Sequence, residues 1–361
     1  MRVIVSAGGT GGHIYPALAI INKIKDMEPN SEILYIGTHN RMECDIVPKM
    51  GINFKSIEIY GLNRKKIYKN FKVINCFLKS IKECKKIIKE FNPDVVIGVG
   101  GYVTSPVIYS AKKLGYKTLI HEQNSIPGKS NLFLSRYSDV IAVSFESTLK
   151  DFKGNVIFTG NPCSEDAKKK SPISKDTLNL SRSKKLVLIV MGSLGSSRIN
   201  EFIVSTLNLF KNKDYEVLFV TGKNDYENIS KNKFSSNVII VPYVNELTRV
   251  MKCTDLIISR AGASTLSEII ALQVPSILIP SPYVTNNHQY KNALDLVNKN
   301  AAMMIEEKDL KDDILVKNID LIINDEEKIK EMKNNLKSMD IDNSATKIYY
   351  IIKKLVGEKN E

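Results

Sequence analysis

Ten short apolar runs, in two sets of five, constrain this chain more than any other feature. The first set covers residues 2–6, 32–36, 95–99, 117–121 and 139–143, and the second 186–190, 216–220, 238–241, 255–258 and 276–279. Each run is nearly continuous in apolar and β-branched residues, the pattern of a strand buried on both faces. Segments of helical periodicity separate them, and that alternation predicts βαβ units and parallel sheets. Between the sets lies "NPCSEDAKKKSPISKDTLNLSRSKK", 161–185, polar, without periodicity and with two prolines. It reads as a linker. The expected fold is α/β: two Rossmann-like, doubly wound parallel-sheet domains facing each other across a cleft. The first domain is expected over 1–162, the linker over 163–184 and the second domain over 185–340. A final segment, 341–361, carries an amphipathic helix (Ile348, Ile351, Ile352, Leu355) that is a candidate for returning to the first domain.

Composition narrows the function. No apolar run approaches the ~18 residues of a membrane span, and the N-terminus reads as a first strand rather than a secretory signal. Five scattered cysteines without a CxxC pair argue against a disulfide framework or zinc site and fit a reducing cytoplasm. Four histidines without HExxH argue against a metallohydrolase. Asp340-Ile341-Asp342 has DxD spacing but precedes a helix start, where Asp342 or Asn343 reads better as a cap than a metal ligand. No metal site is expected. The net charge of +13 suits a phosphorylated substrate, an anionic membrane or nucleic acid. Ten basic residues and two acidic ones fall between Arg64 and Glu90. The helical pattern over 67–91 has one apolar stripe at Ile67, Phe71, Ile74, Leu78, Ile81 and Ile88. A second runs through Val73, Phe77, Cys84, Ile87 and Phe91. One stripe must pack on the sheet; the other, rimmed by lysines, is a candidate membrane face.

The chemistry concentrates at strand ends. "GGTGGHIYP", 8–16, links the first strand to a helix. Glycines permit close backbone approach, and a helix N-terminus favours an anion. Neither Walker nor GxGxxG spacing is present, and no acidic residue ends the second strand, so a nicotinamide dinucleotide is disfavoured. "GVGGYVTSP", 98–106, is a second such loop, and the pair suits a diphosphate. "HEQNSIPGKSN", 121–131, places His121, Glu122 and Asn124 at a strand end, as sugar-orienting or acid–base groups or simply as strand-capping ones. In the second half, "MGSLGSS" (191–197) offers Ser193, Gly195 and Ser196 to an anion. "SRAGASTLSEI" starts a helix near Ser264 with Glu268 one turn in, where a carboxylate could accept both hydroxyls of a ribose. "NNHQYKNA", 286–293, could set His288 and Gln289 on a sugar.

Taken together, "SAGGTGGHIYPALAI", "GVGGYVTSP", "HEQNSIPGKSN", "MGSLGSS" and "RAGASTLSEI…HQYKNA" resemble, in order and through nearly the whole chain, the MurG family. These are the bacterial UDP-GlcNAc:undecaprenyl-diphospho-muramoylpentapeptide N-acetylglucosaminyltransferases. The resemblance implies a GT-B fold and transfer of GlcNAc from UDP-GlcNAc to the muramoyl 4-hydroxyl of lipid I, giving lipid II for peptidoglycan and the cell wall. It implies inversion at C1 and no metal or cofactor. By matching motif, Ser193 and its loop (Gly195, Ser196) approach the donor phosphates and the Val244 main chain faces uracil. Ala263, Ser264, Thr265, Leu266, Ser267 and Glu268 hold phosphate and ribose, and Gln289 contacts the sugar. Thr10, Gly11, Gly12 and Asn124 reach the donor sugar from the first domain. The loops with Gly9, Gly100, Gly101 and Tyr102 cradle the lipid-linked diphosphate. His13 is the expected base, with His121 and Glu122 as alternatives. Segment 64–90 would meet the anionic inner leaflet, giving a peripheral enzyme on the cytoplasmic face of the cell membrane with no nucleic-acid partner. The chain departs from the family's pattern at Met191, Ser164 and His288, where glycine, arginine and glutamine are common. A UDP-GlcNAc 2-epimerase and a non-catalytic nucleotide-sugar sensor are the alternatives.

Overall fold

The computed structural model describes residues 1–61, 70–192 and 195–357, without the side chains of residues 70–72. The chain forms two compact units, one of Met1–Cys163 with Asp342–Glu361, the other of Ser164–Ile341.

The first unit runs β1 (Arg2–Ser6), α1 (Gly11–Met27), β2 (Glu32–Thr38), α2 (Met42–Lys49), β3 (Asn53–Ile57) and α3 (Asn70–Phe91). It continues through β4 (Val95–Gly98), α4 (Thr104–Lys113), β5 (Lys117–Glu122), α5 (Lys129–Leu134), β6 (Val140–Val143) and β7 (Val156–Phe158). Its seven strands lie in the order β3-β2-β1-β4-β5-β6-β7, and every pairing is parallel. Both faces are covered, which is why the strands read as unbroken apolar runs. Val3 and Val5 join Ile20 and Ile24 of α1 in one core. Ile4 points the other way and joins Cys84 and Ile88 of α3 and Ile108 of α4.

The helix α6 (Cys163–Lys169) carries the chain into the second unit. There follow β8 (Leu186–Val190), α7 (Ser197–Thr206), β9 (Glu216–Val220), α8 (Lys223–Ile229), β10 (Val238–Val241), α9 (Leu247–Met251), β11 (Leu256–Ser259) and α10 (Ala263–Leu272). Then come β12 (Ser276–Leu278), α11 (His288–Val297), β13 (Met303–Met304), α12 (Ile314–Ile323) and α13 (Glu326–Met339). The six strands lie in the order β10-β9-β8-β11-β12-β13, again all parallel. The last helix, α14 (Ser344–Val356), belongs to the first unit, where Ile348 and Ile352 are fully buried. Tyr349 Oη and Lys353 Nζ donate to Glu28 Oε1 at the end of α1, at 2.9 and 2.8 Å.

All ten expected strands form, with ends shifted by at most two residues. Three differences stand out. The short strands β3, β7 and β13 were not expected; each lies at a sheet edge, and β3 alternates exposed and half-buried residues up to buried Ile57 instead of running apolar. Residues 161–185 are more than a linker: they hold α6, a 3₁₀ turn at Lys175–Leu178, the buried Leu180, and a backbone bond from Ile173 to Arg249. Finally, the two stripes assigned to 67–91 divide as expected only in part. Cys84, Ile87 and Ile88, taken from both stripes, are buried, while Ile74 and Leu78 are 52% and 54% exposed. The second stripe is covered along its length, half-buried at Val73, Phe77 and Phe91 and buried at Cys84 and Ile87, whereas the first passes from exposed at Ile74 and Leu78 to buried at Ile88, where α3 lies over the sheet core. Ile67 and the basic residues Arg64 to Lys69 lie outside the described residues. No helix among those described is long and apolar enough to cross a membrane.

Candidate functional site

In each unit the strand order reverses once, between β1 and β4 and between β8 and β11. A crevice at the strand C-termini opens at such a point. The glycine-rich motifs occupy both.

In the first unit the two loops are stitched together. Val99 N–H donates to Ser6 O (2.8 Å) and Gly8 N–H to Gly100 O (3.2 Å). Gly100 and Gly101 have φ of 102° and 91°, open to glycine. A Cβ on Gly101 would stand 2.4 Å from Gly8 O, and one on Gly100 would stand 2.5 Å from the His13 ring. The glycines thus let the two loops touch and let His13 lie over the second. His13, half-buried in the first turn of α1, bonds through Nδ1 to Gly8 O (3.1 Å). A carbonyl only accepts, so Nδ1 carries a proton there, and in the neutral form of the ring the lone pair lies on Nε2. Thr10 and Gly12 are exposed beside it, Gly11 is half-buried, and the first turn of α1 has no acidic residue. Tyr102 is exposed, its ring over Gly61.

One expected anion contact is otherwise engaged. Gly9 N–H donates to the buried Glu43 Oε2 (3.1 Å) and so is turned inward. His121 and Glu122 are likewise interior groups. His121 is fully buried, Nε2 against Gly160 O (3.2 Å) and Nδ1 against the Gln123 amide (2.9 Å). Desolvation lowers its pKa to about 4. Glu122 Oε1 accepts from Asn124 N–H (3.0 Å), and Oε2 from Gly128 N–H and Asn131 Nδ2, both at 2.9 Å. These bonds shape the 121–131 loop and hold half-buried Asn124 in it.

In the second unit, Ser193 lies outside the described residues. Gly192 and Gly195 have φ of 85° and 75°, and a Cβ on Gly195 would meet Thr221 O at 2.4 Å. Ser196 precedes α7, and its Oγ accepts from Arg260 Nη2 (3.0 Å). Arg260 Nη1 also donates to Glu307 Oε2 (2.9 Å) and Ile279 O (3.1 Å). One guanidinium therefore ties together the loops after β8, β11 and β12. Asn292 Nδ2 braces Ala261 O from α11 (3.2 Å). At the start of α10, Ala263 is buried, Ser264 and Thr265 are half-buried, and Ser264 Oγ is buried without a hydrogen-bond partner. Leu266 is a core residue and Ser267 Oγ donates to Ser264 O (2.7 Å), so neither side chain faces outward. Glu268 is half-buried, and desolvation pushes its carboxyl up to about 7. Val244 is buried beside exposed Tyr243. Gln289 Oε1 accepts from Ser281 N–H (2.9 Å), and His288 Nδ1 bonds Thr285 O (2.7 Å). Asp340, of the DxD spacing, pairs with Lys168.

Sequence reasoning gave no role to Glu43 or Glu307, and none to Gln123, Asn131, Arg260 or Asn292 although each lies within a quoted motif. The motifs around those four were a local signal; Glu43 and Glu307 carried none.

The glycosyltransferase family 28 N-terminal domain matches residues 3–143, and the family's C-terminal domain matches residues 186–348. A Bacillus cereus protein named UDP-N-acetylglucosamine–N-acetylmuramyl-(pentapeptide) pyrophosphoryl-undecaprenol N-acetylglucosamine transferase 1 is 49% identical, over 99% of this chain and 100% of its own. The crystal structure of Acinetobacter baumannii MurG superposes with a TM-score of 0.78 at 25% identity, covering 98% of this chain and 99% of that one. A Neisseria meningitidis UDP-GlcNAc 2-epimerase bound to UDP-GlcNAc superposes at 0.68 with 16% identity, covering 98% and 100%, a likeness of fold alone.

Proposed function

The chain belongs to glycosyltransferase family 28, with the GT-B fold, and from that premise we propose that it moves N-acetylglucosamine from UDP-GlcNAc to lipid I, giving lipid II for peptidoglycan. The observation that carries the chemistry is His13, set where two glycine loops meet and held by Nδ1 on Gly8 O. The muramoyl 4-hydroxyl attacks C1 of GlcNAc while Nε2 takes its proton. The bond from C1 to the UDP oxygen breaks on the opposite face, so the configuration inverts. A positioned general base contributes ~10²–10⁴ in rate. The departing diphosphate needs preorganised donors, and the loop around Ser193, Gly195 and Ser196 and the start of α10 supply backbone N–H groups and helix dipole. Ser264 Oγ is a further donor there. Glu268 accepts the ribose hydroxyls, Val244 meets uracil through its main chain, and Gln289, Asn124 and the Thr10–Gly12 turn meet the sugar. Gly100, Gly101 and Tyr102 take the lipid-linked diphosphate, without the Gly9 amide.

Exposed Ile74 and Leu78 on α3, beside exposed Lys79, Lys82 and Lys86, form the surface that rests on the anionic cytoplasmic leaflet. Each basic residue near such a surface adds ~1 kcal/mol.

UDP release from UDP-GlcNAc, followed with and without a short-chain lipid I analogue and in EDTA, tests this reading. Release that requires the acceptor and persists in EDTA is expected. Conversion of UDP-GlcNAc without acceptor would instead make the chain an isomerase. A folded His13→Ala variant should lose turnover and keep UDP binding; near-normal turnover would remove His13 from the role of base.

A further inference from the structure

Glu43, in the first turn of α2, sends its side chain beneath the glycine loop that bears His13. It is fully buried, and its oxygens accept from Gly9 N–H (3.1 Å), Thr38 N–H (3.2 Å) and Thr38 Oγ1 (2.7 Å). All three donors are neutral. A buried carboxylate without a cation in those bonds is a poor choice for stability alone. Yet two glycines, one in the first loop and one in β2, make room for it. A Cβ on Gly8 would lie 2.4 Å from Glu43 Oε1, and one on Gly37 would lie 2.7 Å from Glu43 Cγ.

The geometry has a specific outcome. Gly8 C=O and Gly9 N–H belong to one peptide unit, which is planar and, like every peptide among the described residues, not cis. The N–H of that unit donates to Glu43, and its C=O accepts from His13 Nδ1. One rigid peptide therefore stands between the carboxylate and the imidazole. Hydrogen bonds in such a chain polarise one another. A carboxylate on the N–H raises the negative charge on the C=O, which strengthens the hold on Nδ1–H and enriches the lone pair on Nε2.

We propose that Glu43 is a positioning residue for the transfer reaction, acting through the Gly8–Gly9 peptide to keep the His13 ring oriented and protonated on Nδ1. The proposal rests on the reading of His13 as the base. Glu43 itself touches no reacting atom and moves no proton.

The test uses the full chain with ¹⁵N-labelled histidine rings, the His13 signal being assigned by its loss in His13→Asn. Two-bond ¹H–¹⁵N spectra distinguish the Nδ1–H and Nε2–H tautomers. The parent should show Nδ1–H at His13. In Glu43→Gln, an isosteric change, the amide cannot both bond Thr38 as before and accept from Gly9. The His13 signal should then move toward the other tautomer, with kcat falling at least ~10-fold and UDP affinity unchanged. Glu43→Ala should do the same; if it fails to fold, Glu43→Gln carries the test. An unchanged His13 spectrum in Glu43→Gln overturns the proposal. A changed spectrum with unchanged kcat also overturns it, and the activity of His13→Ala then says where the fault lies. If His13→Ala is active, the base reading has failed; if it is inactive, Glu43 alone has been misassigned.

Discussion

Desolvation raises the Glu268 carboxyl from 4.5 to about 7, with Lys170 pulling weakly the other way. A carboxyl whose folded pKa is raised holds its proton more tightly in the folded state. Its contribution is present below pH 4.5 and lost as pH rises through 7, so ionised Glu268 costs stability above neutrality. That cost is at most ~3 kcal/mol by the size of the shift, and less because the side chain is partly solvated. Glu268→Gln should therefore raise the melting temperature of the second unit at pH 8 by a few degrees and leave it unchanged at pH 4.5. The same change should weaken UDP binding ~10-fold or more, since a neutral amide cannot accept from both ribose hydroxyls. In the parent, UDP should bind more tightly at pH 8 than at pH 6 and release protons on binding, which calorimetry in buffers of different ionisation enthalpy reads directly. His121 acts in the opposite sense. Its pKa is lowered to about 4, so its contribution is present above 6.5 and lost as pH falls toward 4. Denaturant unfolding of the first unit should show that loss, and His121→Asn should remove most of it. At Gly100, alanine would drive a methyl group into the His13 ring. Turnover should fall ~100-fold or more, the contribution of a well-placed base, while UDP affinity holds.

At the scale of elements, α3 makes the sharpest division. Ile88→Ala, in the core, should destabilise the first unit by ~2–4 kcal/mol. Ile74→Ser with Leu78→Ser should leave stability nearly unchanged and reduce partitioning onto anionic vesicles, as sedimentation would measure. The contrast also shows why sequence periodicity stopped short here. A stripe on a helical wheel records which residues share a face, but not where along a long helix the sheet ends. Central strands were legible because burial on both faces writes an unbroken apolar run, as at Val95–Gly98. The edge strand Asn53–Ile57 has one face in water and wrote no such run. The glycine loops were legible for a local reason: positive φ at Gly100 and Gly195, with backbone atoms 2.4 Å from where a Cβ would sit at Gly195, admits nothing larger. Glu43 was not legible, because its partner Gly9 is 34 residues away and no local pattern names it. Arg260 fell between the two cases.

Across the whole molecule, three cores are separate. One gathers β8, β9 and α12; the others gather on the two faces of β1, β4 and β5. A ligand stabilises what binds it in the native state. UDP should therefore raise the thermal transition of the second unit, while Ile348→Ala should lower that of the first; scanning calorimetry of parent and variant checks both. The first unit is also discontinuous in sequence, since α14 supplies Ile348 and Ile352 to a core otherwise built from residues before Cys163. On the ribosome this inverts the usual order, in which the N-terminal domain finishes first. The nascent first unit waits with part of its sheet face bare until all of the second has been translated. The part made first is therefore the part completed last.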